Sequence, residues 1–252
     1  MFECKSVYTP MDCNFDYECL IKEKCQNKEV ENKCRKLIGC IMYAMLGSRP
    51  DLCNSISILS RYQNYASEKL LLCLKRVLRY IKSTIDLKLT YKRNINAEFV
   101  KSFVDADWGG DTITRKSTTG FCFQIYNNTI SWCSKRQTCV ALSSTEAEYI
   151  ALSHCISEAC WLKNLLIELN VNSKNFVISI YEDNQSAIRI SKSCEQPKRL
   201  KHINVKYHFV QEKVKDGTVL IIYISSNEQV ADLLTKPLGK ILFKKFRDIM
   251  FG

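Results

Sequence analysis

Residues 97–110, AEFVKSFVDADWGG, organise the reading of the whole chain. Phe99, Lys101 and Phe103 alternate with Glu98, Val100, Ser102 and Val104, the two-residue period of an extended strand. The run reaches Asp105-Ala106-Asp107 and turns at Gly109-Gly110. A strand that stops on a carboxylate presents it at a sheet edge. Such a carboxylate belongs either to a plain acidic turn or to a cation site, and residues further along the chain separate the two.

Downstream, the pattern predicts strand, strand, helix, strand, helix, helix, strand, helix. Residues 119–126 read as extended, Asn127-Asn128 as a hairpin turn, and residues 130–135 as the returning strand. Ser143 or Ser144 caps a long helix to about residue 169. Residues 176–181 form a strand, and Asp183 opens a helix over 184–191, which it also caps. Residues 202–215 are amphipathic and basic. Asp216-Gly217 turns into a strand over 219–224, Asn227 caps a helix containing Asp232, and a short basic helix over 240–251 closes the chain.

Upstream the period changes. Residues 1–30 are polar, charged and rich in cysteine, and read as loosely structured. From Glu31, Leu37, Ile38, Ile41, Met42, Met45 and Leu46 recur at helical spacing until Gly47-Ser48-Arg49-Pro50. A second helix covers 51–62. Ser67 caps a third, to Ser83, with Leu71, Leu74, Leu78 and Ile81 on one face and Lys75, Arg79 and Lys82 on another. That basic stripe is either a solvated face or a track for a phosphate backbone. Residues 88–92 read as a short extended piece. Boundaries near 94 and 240 divide the chain into a helical region (1–94), a mixed α/β domain (95–240) and a basic helix (241–252).

The 252 residues carry 37 Lys and Arg against 26 Asp and Glu, a formal net charge of +11. Such a balance favours a polyanionic partner. No apolar run approaches the roughly 18 residues that span a bilayer, so a membrane is not expected as the partner. The N-terminus MFECKSVYTPMDC has no signal-peptide core, and secretion is not expected. The 14 cysteines contain no Cys-x-x-Cys pair, which argues against a zinc site and for free thiols in a reducing compartment.

Four carboxylates fall at strand ends or helix starts: Asp105, Glu148, Asp183 and Asp232. Each has a plain reading as a turn, surface or first-turn acid. If they converge, their repulsion requires cations, and hard oxygen ligands suit Mg²⁺ or Mn²⁺. Two such ions, roughly 4 Å apart, activate water and stabilise a leaving phosphodiester oxygen.

Five segments, SFVDADWGGDTITRKSTTGF, ISWCSKRQTCVALSSTEAEYIAL, YEDNQSAI, KHINVKYHFVQEKV and EQVADLLTKPL, resemble in order and spacing the RNase H domain of copia-type retrotransposon Pol polyproteins. LIGCIMYAMLGSRPDL, LSRYQ and KRVLRYIKST resemble the segment after the polymerase palm, at the reverse-transcriptase thumb or connection, in the same polyproteins. The resemblance implies an RNase H-like mixed five-stranded sheet, with three antiparallel strands and two parallel to the first, flanked by helices. It implies metal ligands at Asp105, Glu148, Asp183 and Asp232, two Mg²⁺ ions (or Mn²⁺), and cleavage of the RNA strand of an RNA–DNA hybrid. Asp105 is preferred over Asp107 because it directly ends the strand. Lys198, Arg199 and Lys201, with Lys75, Arg79 and Lys82, are the candidate contacts to nucleic-acid phosphates. Trp108 and Trp132 are either core residues or packing for sugar.

Two departures stand out. Ser225-Ser226-Asn227-Glu228 has no histidine where many RNases H carry one before the last carboxylate, and no Tyr-x-Asp-Asp polymerase motif is present. The chain therefore reads as a C-terminal fragment whose partners are hybrid and the rest of its polyprotein, in a cytoplasmic virus-like particle or the nucleus. The alternatives are a non-catalytic nucleic-acid-binding remnant and, less well matched, another RNase H-like nuclease such as an integrase.

Overall fold

The computed structural model describes residues 4–14, 19–22, 27–94, 96–171, 176–193 and 204–252. By packing the chain divides into two compact units, Tyr91–Thr235 and a second made of Met1–Thr90 with Lys236–Gly252.

The Tyr91–Thr235 unit is built on one five-stranded sheet. Its strands are β1 (Val100–Asp107), β2 (Thr118–Ile125), β3 (Asn128–Arg136), β4 (Ile178–Glu182) and β5 (Val219–Tyr223), in the order β3-β2-β1-β4-β5. β1, β2 and β3 pair antiparallel, whereas β4 runs parallel to β1 and β5 parallel to β4. The sheet is the mixed one expected. β1 lies at its centre and has both faces covered, which is why Ser102, Phe103, Val104, Asp105 and Ala106 are all buried. β1 extends two residues beyond Asp105, so this carboxylate sits within the strand and not at its end.

One face of the sheet is covered by the long helix Ser144–Glu168, whose small residues Ala147, Ala151, Cys155 and Ala159 are fully buried and allow close approach. Ser102 Oγ and Cys155 Sγ lie 3.1 Å apart across that contact. The other face meets the short helix Asp232–Thr235. It crosses at Gly120, where a Cβ would stand 2.9 Å from Leu234 Cβ and 3.2 Å from the Ala231 carbonyl oxygen, so only glycine fits. Helices Gln185–Lys192 and Asn204–Lys215 complete the layer around the long helix.

The other unit is helical. It contains Cys19–Lys22, Lys28–Gly47, Cys53–Ser60, Glu68–Ser83 and Lys240–Phe251. The last helix buries Phe243, Phe246, Met250 and Phe251, and Phe243 meets the Tyr80 ring edge-on at 5.6 Å. It therefore packs within this unit, whereas the sequence reading set it apart. Arg49 clasps Asp51 at 3.0 and 2.8 Å, and the Tyr80 hydroxyl donates to the same carboxylate at 2.6 Å.

Several local expectations are corrected here. Residues 88–92 form no strand. Thr9, Pro10 and Met11 are buried, so part of the N-terminal stretch is packed. The apolar face of Glu68–Ser83 runs through Leu70, Leu71, Leu74, Val77 and Tyr80, leaving Leu78 and Ile81 only partly covered. Asn227 lies in a single 3₁₀ turn, Ser226–Glu228, and does not cap the helix at Asp232. No described helix is long and apolar enough to cross a membrane. The described cysteines are free thiols, with Cys34, Cys53, Cys122 and Cys155 buried.

Candidate metal centre

Each carboxylate of interest is placed by a different element. Asp105 projects from the central strand and accepts a short hydrogen bond from the Thr235 hydroxyl. Glu148 is set by the start of its helix. Ser143 Oγ accepts the Glu146 N–H at 3.2 Å, while Glu146 Oε2 accepts the Leu142 N–H at 2.9 Å. Glu146 is thus committed to the helix start, and Glu148 faces the strands, 6% exposed. Asp183 directly follows β4 and accepts from Ser226 Oγ at 2.6 Å. It is not the cap of the next helix, because Asn184 takes that role by accepting the Ala187 N–H at 3.0 Å.

The structure brings three of the four together. Ligand oxygens of Asp105, Glu148 and Asp183 all lie within 4.8 Å of one another. Asp232 stands outside that group, buried at the first position of its helix. Thr235, at the other end of that helix, ties it to Asp105. The turn before the helix is anchored by Gln229, whose Nε2 donates to the Val104 carbonyl at 2.9 Å and to the Tyr181 carbonyl at 3.3 Å.

A fifth carboxylate, missed in the sequence, lies next to Asp183 in the chain but outside that group of oxygens. Glu182 ends β4 and is fully buried. One of its oxygens accepts the Asn184 N–H at 3.0 Å, and the other has no hydrogen-bond partner. Glu148 Oε2 is equally buried and without one. Burial pushes the Glu148 carboxyl well above the ordinary carboxylate range, and the charges of Glu182, Asp105 and Asp183 push it further, against the N–H donated by Ala106. Burial raises Glu182 in the same way, with Asp105 and Asp183 adding and the N–H groups of Asn184 and Asp183 opposing. An all-oxygen donor set of this kind, with Asp105 and Glu148 buried and Asp183 partly exposed, fits a hard divalent cation.

Of the candidate phosphate contacts, Lys75 and Lys82 are exposed. Arg79 Nε donates to the Lys5 carbonyl at 2.7 Å, and Arg76 beside it reaches Asp12 at 3.1 Å, so part of the basic stripe holds the N-terminal segment. Lys198, Arg199 and Lys201 lie outside the described residues. Trp108 is 55% exposed and donates its indole N–H to the Ala141 carbonyl, so it is not a core residue.

The sheet and its flanking helices define a mixed α/β domain, and the other unit is helical. The retrovirus-related Pol polyprotein of transposon TNT 1-94 from Nicotiana tabacum is 39% identical over 213 residues, 84% of this chain. That of transposon RE2 from Arabidopsis thaliana is 36% identical over 212 residues, also 84%. These relatives are copia-type retrotransposon Pol polyproteins, and the chain spans 14–16% of their length. A secreted RxLR effector protein 161 from Plasmopara viticola is 45% identical over 125 residues, covering 50% of this chain and 87% of that protein. Among solved structures, LC11-RNase H1 from compost aligns over 54% of this chain and 91% of its own at 15% identity, with a TM-score of 0.42. No protein-family model matches.

Proposed function

We propose that the chain is the RNase H part of a retrotransposon polyprotein and hydrolyses the RNA strand of an RNA–DNA hybrid. The observation that carries this reading is the convergence of Asp105, Glu148 and Asp183 from a central strand, a helix start and a neighbouring strand end. With Asp232 they would hold two Mg²⁺ or Mn²⁺ ions. Divalent ions bound to such carboxylates lower the pKa of water and offset charge on a leaving phosphodiester oxygen.

The chain's own residues supply the rest. Hydroxyls of Thr235 and Ser226 hold Asp105 and Asp183 in fixed orientations, which lowers the ordering cost of binding a cation. The net charge of +11 supports a polyanionic substrate. A hybrid offers 2′-hydroxyls in a wide, shallow minor groove, which a protein reads by shape. Lys75 and Lys82, with Lys198, Arg199 and Lys201, are the proposed phosphate contacts, and Arg79 is the weakest of the set because it is held by Lys5.

The test is hydrolysis of a labelled hybrid in Mg²⁺ by the full chain and by Asp183→Asn. Cleavage is expected for the first and a loss of at least about a hundredfold for the second, the scale seen when one preorganised charge-stabilising group is removed. Hybrid binding without cleavage by either protein would instead identify a non-catalytic nucleic-acid-binding remnant.

A further inference from the structure

The basic helix Lys240–Phe251 carries none of the carboxylates of the candidate metal centre. Its Phe243, Phe246 and Met250 are buried in the helical unit, and Lys240, Lys244 and Arg247 form a neighbouring stripe at helical spacing. That stripe lines one side of a cleft of about 540 Å³. The other sides are Tyr80, Ser83 and Thr84, at the end of the helix Glu68–Ser83, and residues 6–8 of the N-terminal segment.

The walls of the cleft are tied together. Ser83 Oγ donates to the Val7 carbonyl at 2.9 Å, and Arg79 holds the Lys5 carbonyl, so the N-terminal segment is fastened to the helix. Thr84 Oγ1 accepts from Arg49 at 2.7 Å and donates to the Tyr80 carbonyl at 2.9 Å. No carboxylate is among the lining residues. Arg247 donates Nε and Nη2 to Asp248 at 3.0 and 2.8 Å, so its charge is already matched. The charges of the two lysines are not. Lys244 is exposed and forms no ion pair among the described residues. Lys240 Nζ lies 3.4 Å from the centroid of the Tyr8 ring, a contact that aims the ammonium without neutralising it. Lys240 also stands in the first turn of its helix, where the helix dipole disfavours a cation. Helix stability therefore does not account for its place.

We propose that this cleft binds the phosphodiester backbone of a nucleic-acid strand, with Lys240 and Lys244 as the phosphate contacts and Tyr8 as the residue that positions Lys240. Lysine ammonium groups are compact point charges that meet a phosphate from many directions. At i and i+4 their Cβ atoms stand about 6 Å apart, a spacing suited to neighbouring phosphates of one strand. The chain as a whole carries the excess positive charge that a polyanion requires.

This inference rests on the proposed function only in taking nucleic acid as the partner, and the cation site has no part in it. The experiment is fluorescence anisotropy of a labelled RNA–DNA hybrid with the full chain over a range of KCl concentrations. A chelator is present so that the RNA strand stays intact. Each neutralised phosphate contributes about 0.9 to the slope of log affinity against log salt. Lys240→Gln with Lys244→Gln should flatten that slope by about 1–2 and weaken binding about tenfold or more near 0.1 M salt. Lys33→Gln with Lys36→Gln removes the same charge from exposed positions on the helix Lys28–Gly47, and should change the slope by less than half as much. Lys240→Arg with Lys244→Arg should keep the wild-type slope.

Equal slopes for the two glutamine pairs would overturn the inference while leaving the nuclease reading intact. If the pair in the cleft does not fold, Lys244→Gln alone decides: a slope flatter by about 1 supports the contact, and an unchanged slope overturns it. Calorimetric titration with inorganic phosphate separates the other source of this chemistry. Binding heat that the glutamine pair abolishes, with the hybrid slope unchanged, would make the cleft a site for a free anion and overturn the strand reading. A wild-type chain that does not bind hybrid would remove this inference and the proposed function together.

Discussion

Gly120 pairs with Asp105 across the β1–β2 ladder and is also where the helix Asp232–Thr235 crosses the sheet. The absence of a side chain here is therefore a condition for the site, because the helix brings Thr235 to Asp105. Gly120→Ala should place a methyl group against Leu234 and the Ala231 carbonyl and cost about 1–3 kcal/mol, the usual scale of overpacking. Thermal unfolding would measure the stability loss. Mg²⁺ affinity should fall as well, since the helix must move away from Asp105. At this scale the sequence was legible where chemistry and position coincide. The sequence singles out Asp105, Glu148 and Asp183 as candidate ligands, and the structure brings their oxygens together. Glu182, Thr235 and Ser226 carry no comparable signal. A glutamate beside an aspartate, or a serine in a polar loop, becomes informative only once long-range packing shows what it faces.

Among elements, the capped helix and the hairpin strands were legible because they are local. Ser143 with Glu146 marks the helix start, and the two-residue alternation marks β2 and β3, although the turn falls on Tyr126-Asn127, both at positive φ, and not on Asn127-Asn128, because Asn128 already pairs with Ile125. In the segment from Ser225 to Thr235 the helix containing Asp232 was legible but its start was not, because its shape is dictated from outside. A 3₁₀ turn and a four-residue helix have little propensity of their own. They are held by Gln229, which reaches the carbonyls of Val104 and Tyr181 on neighbouring strands just past their last ladder pair, Phe103 with Tyr181. Gln229→Leu removes that donor and leaves buried carbonyls unsatisfied, at a cost of about 1–3 kcal/mol. Denaturant unfolding should register this loss. Cleavage activity should fall by more than the stability loss explains, because the loop that delivers Asp232 loses its anchor. The part of the basic stripe that holds the N-terminal segment was not legible for the same reason: nothing local indicates that Arg76 and Arg79 reach Lys5, Thr9 and Asp12.

At the scale of the whole molecule, the division into a sheet unit and a helical unit follows the change of period in the sequence, and the last helix returns to the helical unit through Phe243, Phe246 and Phe251. The chain combines a formal net charge of +11 with a cluster of carboxylates. That combination is coherent for an enzyme whose substrate is a polyanion and whose cofactors are cations: the general field attracts the duplex, and the local field attracts the metal. It also defines the most direct test. The full chain is incubated with an RNA–DNA hybrid, the same RNA alone and the same sequence as duplex DNA, each with Mg²⁺ and again with Mg²⁺ removed by a chelator. The account predicts cleavage of the RNA strand in the hybrid only, leaving 3′-hydroxyl and 5′-phosphate ends, and its abolition by the chelator. Cleavage that survives the chelator, or binding of the hybrid in Mg²⁺ with its RNA strand left intact, would contradict it.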